Sequence, residues 1–163
     1  RNQVKDSSVT EKEKIYEIAL VSRNELEKFA IKNNKIGNPV TLECYCAIGA
    51  YTLNKILKSC KFKTQFITGT YYDDIADEVC HHCWVETNEH IVDITATQFS
   101  GITNRVHMIS KENKLYKKEL QGHWATRFIN SDWIEAQRIK TNETDIKEMV
   151  KVVVKSAKKL ILT

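Results

Sequence analysis

The chain has 163 residues, 42% of them hydrophobic and 28% charged, with a net charge of +4. That balance excludes a disordered or fibrous chain and fits a single domain, 1–163, around one core. No apolar run approaches the roughly 18 residues that a bilayer span needs, and the polar stretch Arg1 to Ser8 is unlike a signal peptide. The chain does not begin with Met, so a fragment or a processed form is expected.

The five cysteines are Cys44, Cys46, Cys60, Cys80 and Cys83. An odd count at tight spacings makes a poor disulfide framework, so reduced thiols and a cytoplasmic setting are expected, with a secreted or delivered effector as the other option. Lys and Arg outnumber Asp and Glu from Lys111 onward, while Asp73, Asp74, Asp77 and Glu78 form an acidic patch. At so modest a charge the lysines are read as solvated helix faces, and no nucleic-acid partner is expected.

Thr10-Glu-Lys-Glu13 has the form of a capping box, and Ile15, Ile18, Ala19, Leu26 and Phe29 carry a helical period to about Lys32. Asn33 to Pro39 is a loop. A second helix is predicted from about Cys46, with Ala50, Leu53, Ile56, Leu57 and Cys60 as its buried stripe. Strands follow at Phe62–Thr68, Val79–Glu86 and Ile91–Ala96, the last two joined across Asn88 and Glu89. Short helices are predicted near Ser110–Leu120 and Asp132–Arg138. A longer one runs over about Glu143–Leu160, where Ile146, Met149, Val150, Val153, Ala157 and Leu160 share a face. The order is helices, then antiparallel strands, then helices: an α+β fold.

Within this frame Cys46 opens a helix, where free N–H groups favour a negative charge and so a thiolate nucleophile. The two joined strands supply partners. With a turn at Asn88-Glu89, His82 and Asp93 are diagonal neighbours on one face; with a turn at Thr87-Asn88 they are directly opposite. Either register brings an imidazole to a carboxylate, as general acid–base chemistry requires.

The segment from Cys46 through Leu57-Lys58 to Gly69 resembles the nucleophile helix and following strand of transglutaminase-like proteins. His82-Cys-Trp84-Val-Glu86 is similar to the family's His-x-Trp-x-Glu strand, and Asp93-Ile-Thr95 to its Asp-x-Thr. The resemblance covers about Cys44 to Gln98. Tyr45 replaces the family's frequent Gly before the nucleophile, and Ile94 its frequent Pro after the Asp. It implies a transglutaminase-like (papain-like) fold with the Cys46 helix on an antiparallel sheet. It also implies Cys46 as nucleophile, His82 as general base and acid, and Asp93 as the orienting carboxylate. The implied activity is amide acyl transfer through a thioester, on a protein or peptide substrate, with no cofactor or metal: proteolysis, glutamine deamidation or transamidation, hydrolysis being favoured.

Other assignments compete. Cys44, Cys46, Cys80 and Cys83 offer a zinc-ligand set, but a strand would point Cys80 and Cys83 to opposite faces. A non-catalytic module of the same fold is the alternative from another class. Trp84 is expected in the core, His81 as a bystander, and Gln98 as an ordinary polar residue rather than an oxyanion donor. Lys147, Lys151, Lys155 and Lys159 are expected to form a solvated stripe.

Overall fold

A computed structural model describes residues 9–33, 36–119 and 134–162. The chain is α+β. Helix α1 spans Glu11–Lys32 and α2 spans Cys46–Ser59. Five strands follow: β1 Gln65–Asp73, β2 Glu78–Glu86, β3 His90–Asp93, β4 His107–Ser110 and β5 Tyr116–Lys118. Residues 134–141 are helical (α3), and α4 spans Glu143–Leu162. The strands form one antiparallel sheet in the order β4-β3-β2-β1-β5.

Local chemistry accounts for most of these boundaries. The capping box at the start of α1 is formed: the Glu13 amide donates to Thr10 Oγ1 at 3.1 Å, and the Thr10 amide to Glu13 Oε1 at 2.9 Å. The third strand stops at Asp93, short of the expected Ala96. There Asp93 Oδ1 accepts the Thr95 amide at 2.9 Å, a local turn that competes with the ladder, and a 3₁₀ turn follows at Ala96–Gln98. The helix predicted over Ser110–Leu120 is corrected. Asn113 bends the chain, its Oδ1 accepting the Leu115 amide at 2.9 Å, and β5 then pairs with β1.

Two apolar clusters flank the sheet. On one face α1, α2 and α4 pack through Ile18, Leu26, Ile48, Leu53, Ile56, Ile146 and Val153 against Cys83, Val85 and Val92. On the other, Tyr71, Trp84, Ile91, Phe99 and Tyr116 form an aromatic cluster. The alternation along β2 sends Cys83 and Val85 to the first and Trp84 to the second.

Two glycines permit the close approaches that shape the site. A Cβ on Gly49 would come within 2.8 Å of Leu26 Cδ2 and 3.1 Å of Thr95 Cγ2, so Gly49 lets α2 lie tightly between α1 and the segment after β3. A Cβ on Gly69 would meet the Lys117 carbonyl oxygen at 2.1 Å, so only a bare backbone lets β5 cross there. Buried Arg23 fastens the same region. Its Nη1 donates to the Ile94 carbonyl at 2.9 Å and to Thr97 Oγ1 at 3.1 Å, tying the end of β3 to α1.

Among the described residues, no helix is long and apolar enough to cross a membrane. Along α4, Lys147, Lys151, Lys155 and Lys159 are exposed, as the solvated-stripe assignment expects.

Candidate active site

Cys46 is the first residue of α2, where the sequence places it. The chain reaches it through a turn in which Leu42 and Cys44 have φ of 63° and 74°, a left-handed region that side-chain-bearing residues enter at a cost.

The Thr87 amide donates to the His90 carbonyl at 2.8 Å, which closes a two-residue turn at Asn88-Glu89. Val85 faces Val92 in that register, so Trp84 falls across from Asp93 and His82 lies on the diagonal. The diagonal is bridged: His82 Nε2 lies 2.6 Å from Asp93 Oδ2. Both residues are buried, at 0% and 1% exposure. The Tyr116 hydroxyl donates to the same Asp93 oxygen at 2.7 Å. Oδ1 accepts from the Thr95 amide at 2.9 Å and from Thr95 Oγ1 at 3.3 Å. The carboxylate therefore has four donors around it and a fixed orientation. Phe99 meets the His82 ring edge-on at 4.7 Å between centroids, and Trp84 stacks beside it at 6.1 Å. Trp84 is core, as expected.

The electrostatics follow from this enclosure. Burial disfavours a charged His82, but the Asp93 charge and hydrogen bond outweigh it, and the imidazole pKa is pushed up to about 10. Burial would also raise Asp93; the His82 charge, with the hydrogen bonds from His82, Tyr116 and Thr95, holds it below its ordinary value. Cys46 goes the other way from the sequence expectation. A hydrogen bond with Cys83 and burial hold its pKa well above that of a free thiol, against the lowering pull of His82. In this closed arrangement Cys46 is a thiol, not a thiolate, because the hydrogen bond with Cys83 and burial outweigh the start of the helix.

A second carboxylate covers the thiol. Glu135, on α3, has Oε2 at 3.6 Å from Cys46 Sγ. Its Oε1 accepts from Arg138 Nη1 at 2.5 Å, and Arg138 Nη1 also reaches the Cys44 carbonyl at 3.4 Å. The Ala47 amide donates to the same carboxylate. Burial raises the Glu135 pKa, with Arg138 opposing. Cys46 is only 4% exposed beneath it.

The structure thus brings Cys46, His82 and Asp93 into one buried cluster and adds Tyr116 and Glu135, which sequence reasoning did not single out, and Cys83, which it weighed only within the four-cysteine zinc set. Tyr116 sat in a predicted helix, and no local signal ties Glu135 to a residue so far away in the chain. The four-cysteine zinc set does not assemble: Cys80 packs on the aromatic cluster and Cys83 in the helical core, on opposite faces. Gln98 Nε2 donates to the Thr95 carbonyl at 2.9 Å, a local role in keeping with the ordinary polar assignment. Burial lowers the His81 pKa to about 4, so it stays neutral at physiological pH. The comparisons with known proteins bring no match: none of the family models, curated proteins or solved structures searched matches this chain.

Proposed function

We propose that the chain is a transglutaminase-like cysteine enzyme that cleaves or exchanges amide bonds through a thioester. The observation that carries this is the His82–Asp93 pair, fully enclosed at 2.6 Å, beside a cysteine that opens a helix. An enclosed ionisable pair costs desolvation that apolar residues of like volume avoid, and such arrangements concentrate at functional sites.

The chemistry draws on side chains and backbone amides of this chain. Once Glu135 has withdrawn, the Cys46 proton passes to solvent and the thiolate pairs with the charged imidazole of His82. The sulfur attacks the carbonyl carbon; the C–S bond forms and the carbonyl oxygen becomes an oxyanion. The Cys46 and Ala47 amides at the start of α2, the latter released when Glu135 leaves, are donors to that charge. His82 then gives its proton to the leaving nitrogen, and the C–N bond breaks to leave a thioester. Water, losing its proton to His82, resolves the thioester to an acid and restores the thiolate; an amine in place of water gives transamidation. Asp93 keeps His82 oriented and supports its positive form. Glu135 must leave Cys46 for any substrate to reach the sulfur.

Incubation with a panel of glutamine-containing proteins, read by mass spectrometry for both deamidation and cleavage, is the test. Turnover should vanish in Cys46→Ala and fall about as far in His82→Ala. The double variant should be hardly worse than either single one, because members of a triad act as a unit. Full activity in Cys46→Ala, or additive losses, would place the chemistry elsewhere.

The burial of Cys46 favours a second reading, a non-catalytic module of the same fold. No turnover of any panel member, with Cys46 unreactive even after Glu135 is removed, would select it.

A further inference from the structure

We propose that Cys46, Cys83 and Glu135 form a binding site for one thiophilic divalent cation of the zinc type, seated over the candidate nucleophile.

The three side chains come from the start of α2, the middle of β2 and α3, and all three residues are buried. Their ligand atoms, two sulfurs and a carboxylate oxygen, all lie within 4.8 Å of one another. Among the described residues they are the one such group of three; Cys44 and Cys80 belong to none.

The spacing suits a tetrahedral ion. Metal–sulfur and metal–oxygen bonds of about 2.3 and 2.0 Å at a tetrahedral angle give a sulfur–oxygen edge of about 3.5 Å, and Cys46 Sγ to Glu135 Oε2 is 3.6 Å. A simple thiol-to-carboxylate hydrogen bond accounts for that one distance. A hydrogen bond between Cys46 and Cys83 brings in the second sulfur, so in the metal-free chain protons hold together the three atoms that a cation would bridge.

The donor set selects the ion. Two thiolates with a carboxylate suit zinc and its relatives, while calcium and magnesium prefer oxygen alone. The surroundings act as an outer shell. Arg138 holds Oε1 of Glu135 at 2.5 Å, which orients the carboxylate and leaves Oε2 toward the sulfur. Three protein ligands leave a fourth corner for a solvent molecule.

Binding is not a redox event. The cation enters, the two thiols release two protons to solvent, and two sulfur bonds and one oxygen bond form. A bound ion occupies the Cys46 lone pair that would attack a carbonyl. The ion-binding site stands independently of the proposed enzyme activity, whereas silencing of the nucleophile rests on it.

Cobalt(II) is the probe, since its bonds to thiolate absorb light and zinc displaces it. The reduced, metal-free chain should bind one cobalt with a thiolate charge-transfer band that zinc abolishes and that calcium or magnesium leaves unchanged. Glu135→Gln and Cys83→Ser should each weaken binding about tenfold or more, while Cys44→Ala and Cys80→Ala should bind as the wild type does. Far-UV circular dichroism of the metal-free variants checks the fold, and Glu135→Gln decides alone if Cys83→Ser does not fold. Absence of the band, or a band that survives in Glu135→Gln or vanishes in Cys44→Ala or Cys80→Ala, overturns the site. The readout needs no turnover. Cobalt binding without turnover would therefore reject the enzyme and keep the site, and turnover without cobalt binding would do the reverse.

Discussion

The Tyr116 hydroxyl donates to Asp93 Oδ2 at 2.7 Å, the oxygen that also holds the His82 imidazole. Strand β5 is only three residues long, and its first residue completes the shell of a carboxylate on β3, across two intervening strands. Tyr116→Phe keeps the ring packing and removes this one donor. Activity should fall about tenfold, with stability lower by roughly 0.5–1.5 kcal/mol. Asp93→Asn should cost more, about 10²–10⁴-fold, because it also loses the charge opposite His82. Steady-state kinetics and thermal melts of the two variants, side by side, check the ranking.

Glu135 governs access to the thiol. Glu135→Ala removes both the covering carboxylate and its hydrogen bond with Cys46, and should speed iodoacetamide labelling of Cys46 about tenfold or more over wild type. In the wild type Cys46 should label more slowly than the half-buried Cys44, Cys60 and Cys80. Peptide mapping after timed alkylation reads both. Equal Cys46 rates in the two proteins would mean that α3 does not control the site.

Gly69 admits β5 to the sheet. In Gly69→Ala the new methyl would meet the Lys117 carbonyl oxygen, a backbone atom that cannot rotate away, and Trp84 Cη2 at 2.8 Å. Overpacking of this kind costs about 1–3 kcal/mol or more. The melting temperature should fall, and Tyr116 should be displaced from Asp93, so activity should drop at least as far as in Tyr116→Phe.

Asp73 offers a stability test remote from the chemistry. Its carboxylate accepts the amides of Ile75, Ala76 and Ser100 at 3.1, 3.0 and 2.9 Å. These bonds, that from Ala76 foremost, lower its pKa in the folded chain. A lowered folded-state pKa contributes stability above the unfolded value of 3.8, and that stability is lost as pH falls through the folded value. Asp73→Asn should therefore melt about 3–8 °C below wild type at neutral pH. The gap should narrow in acid, below pH ~4. A gap of constant size across that range would show that the charge plays no part.

Legibility from sequence followed the range of the contacts. Thr10 and Glu13 are one turn apart, and their reciprocal bonds form as the motif predicts. His82 and Asp93 are 11 residues apart within one hairpin, and strand alternation alone put them on one face. Tyr116 and Glu135 escaped because their partners lie 23 and 89 residues back, beyond any local pattern. The thiolate expectation at Cys46 failed for a related reason. The start of a helix can be read from sequence, but the depth of burial and the neighbouring Cys83 depend on the assembled core.

The same 89-residue separation sets an order of events in the making of the protein. Translation adds about 5–20 residues per second, so Cys46 is polymerised roughly 4–18 seconds before Glu135 exists. For that interval the nascent chain holds a cysteine whose cover has not been synthesised. Oxidants, electrophiles and passing cations meet this sulfur most freely on the ribosome, and the arrival of the segment that carries Glu135 is what withdraws it from them.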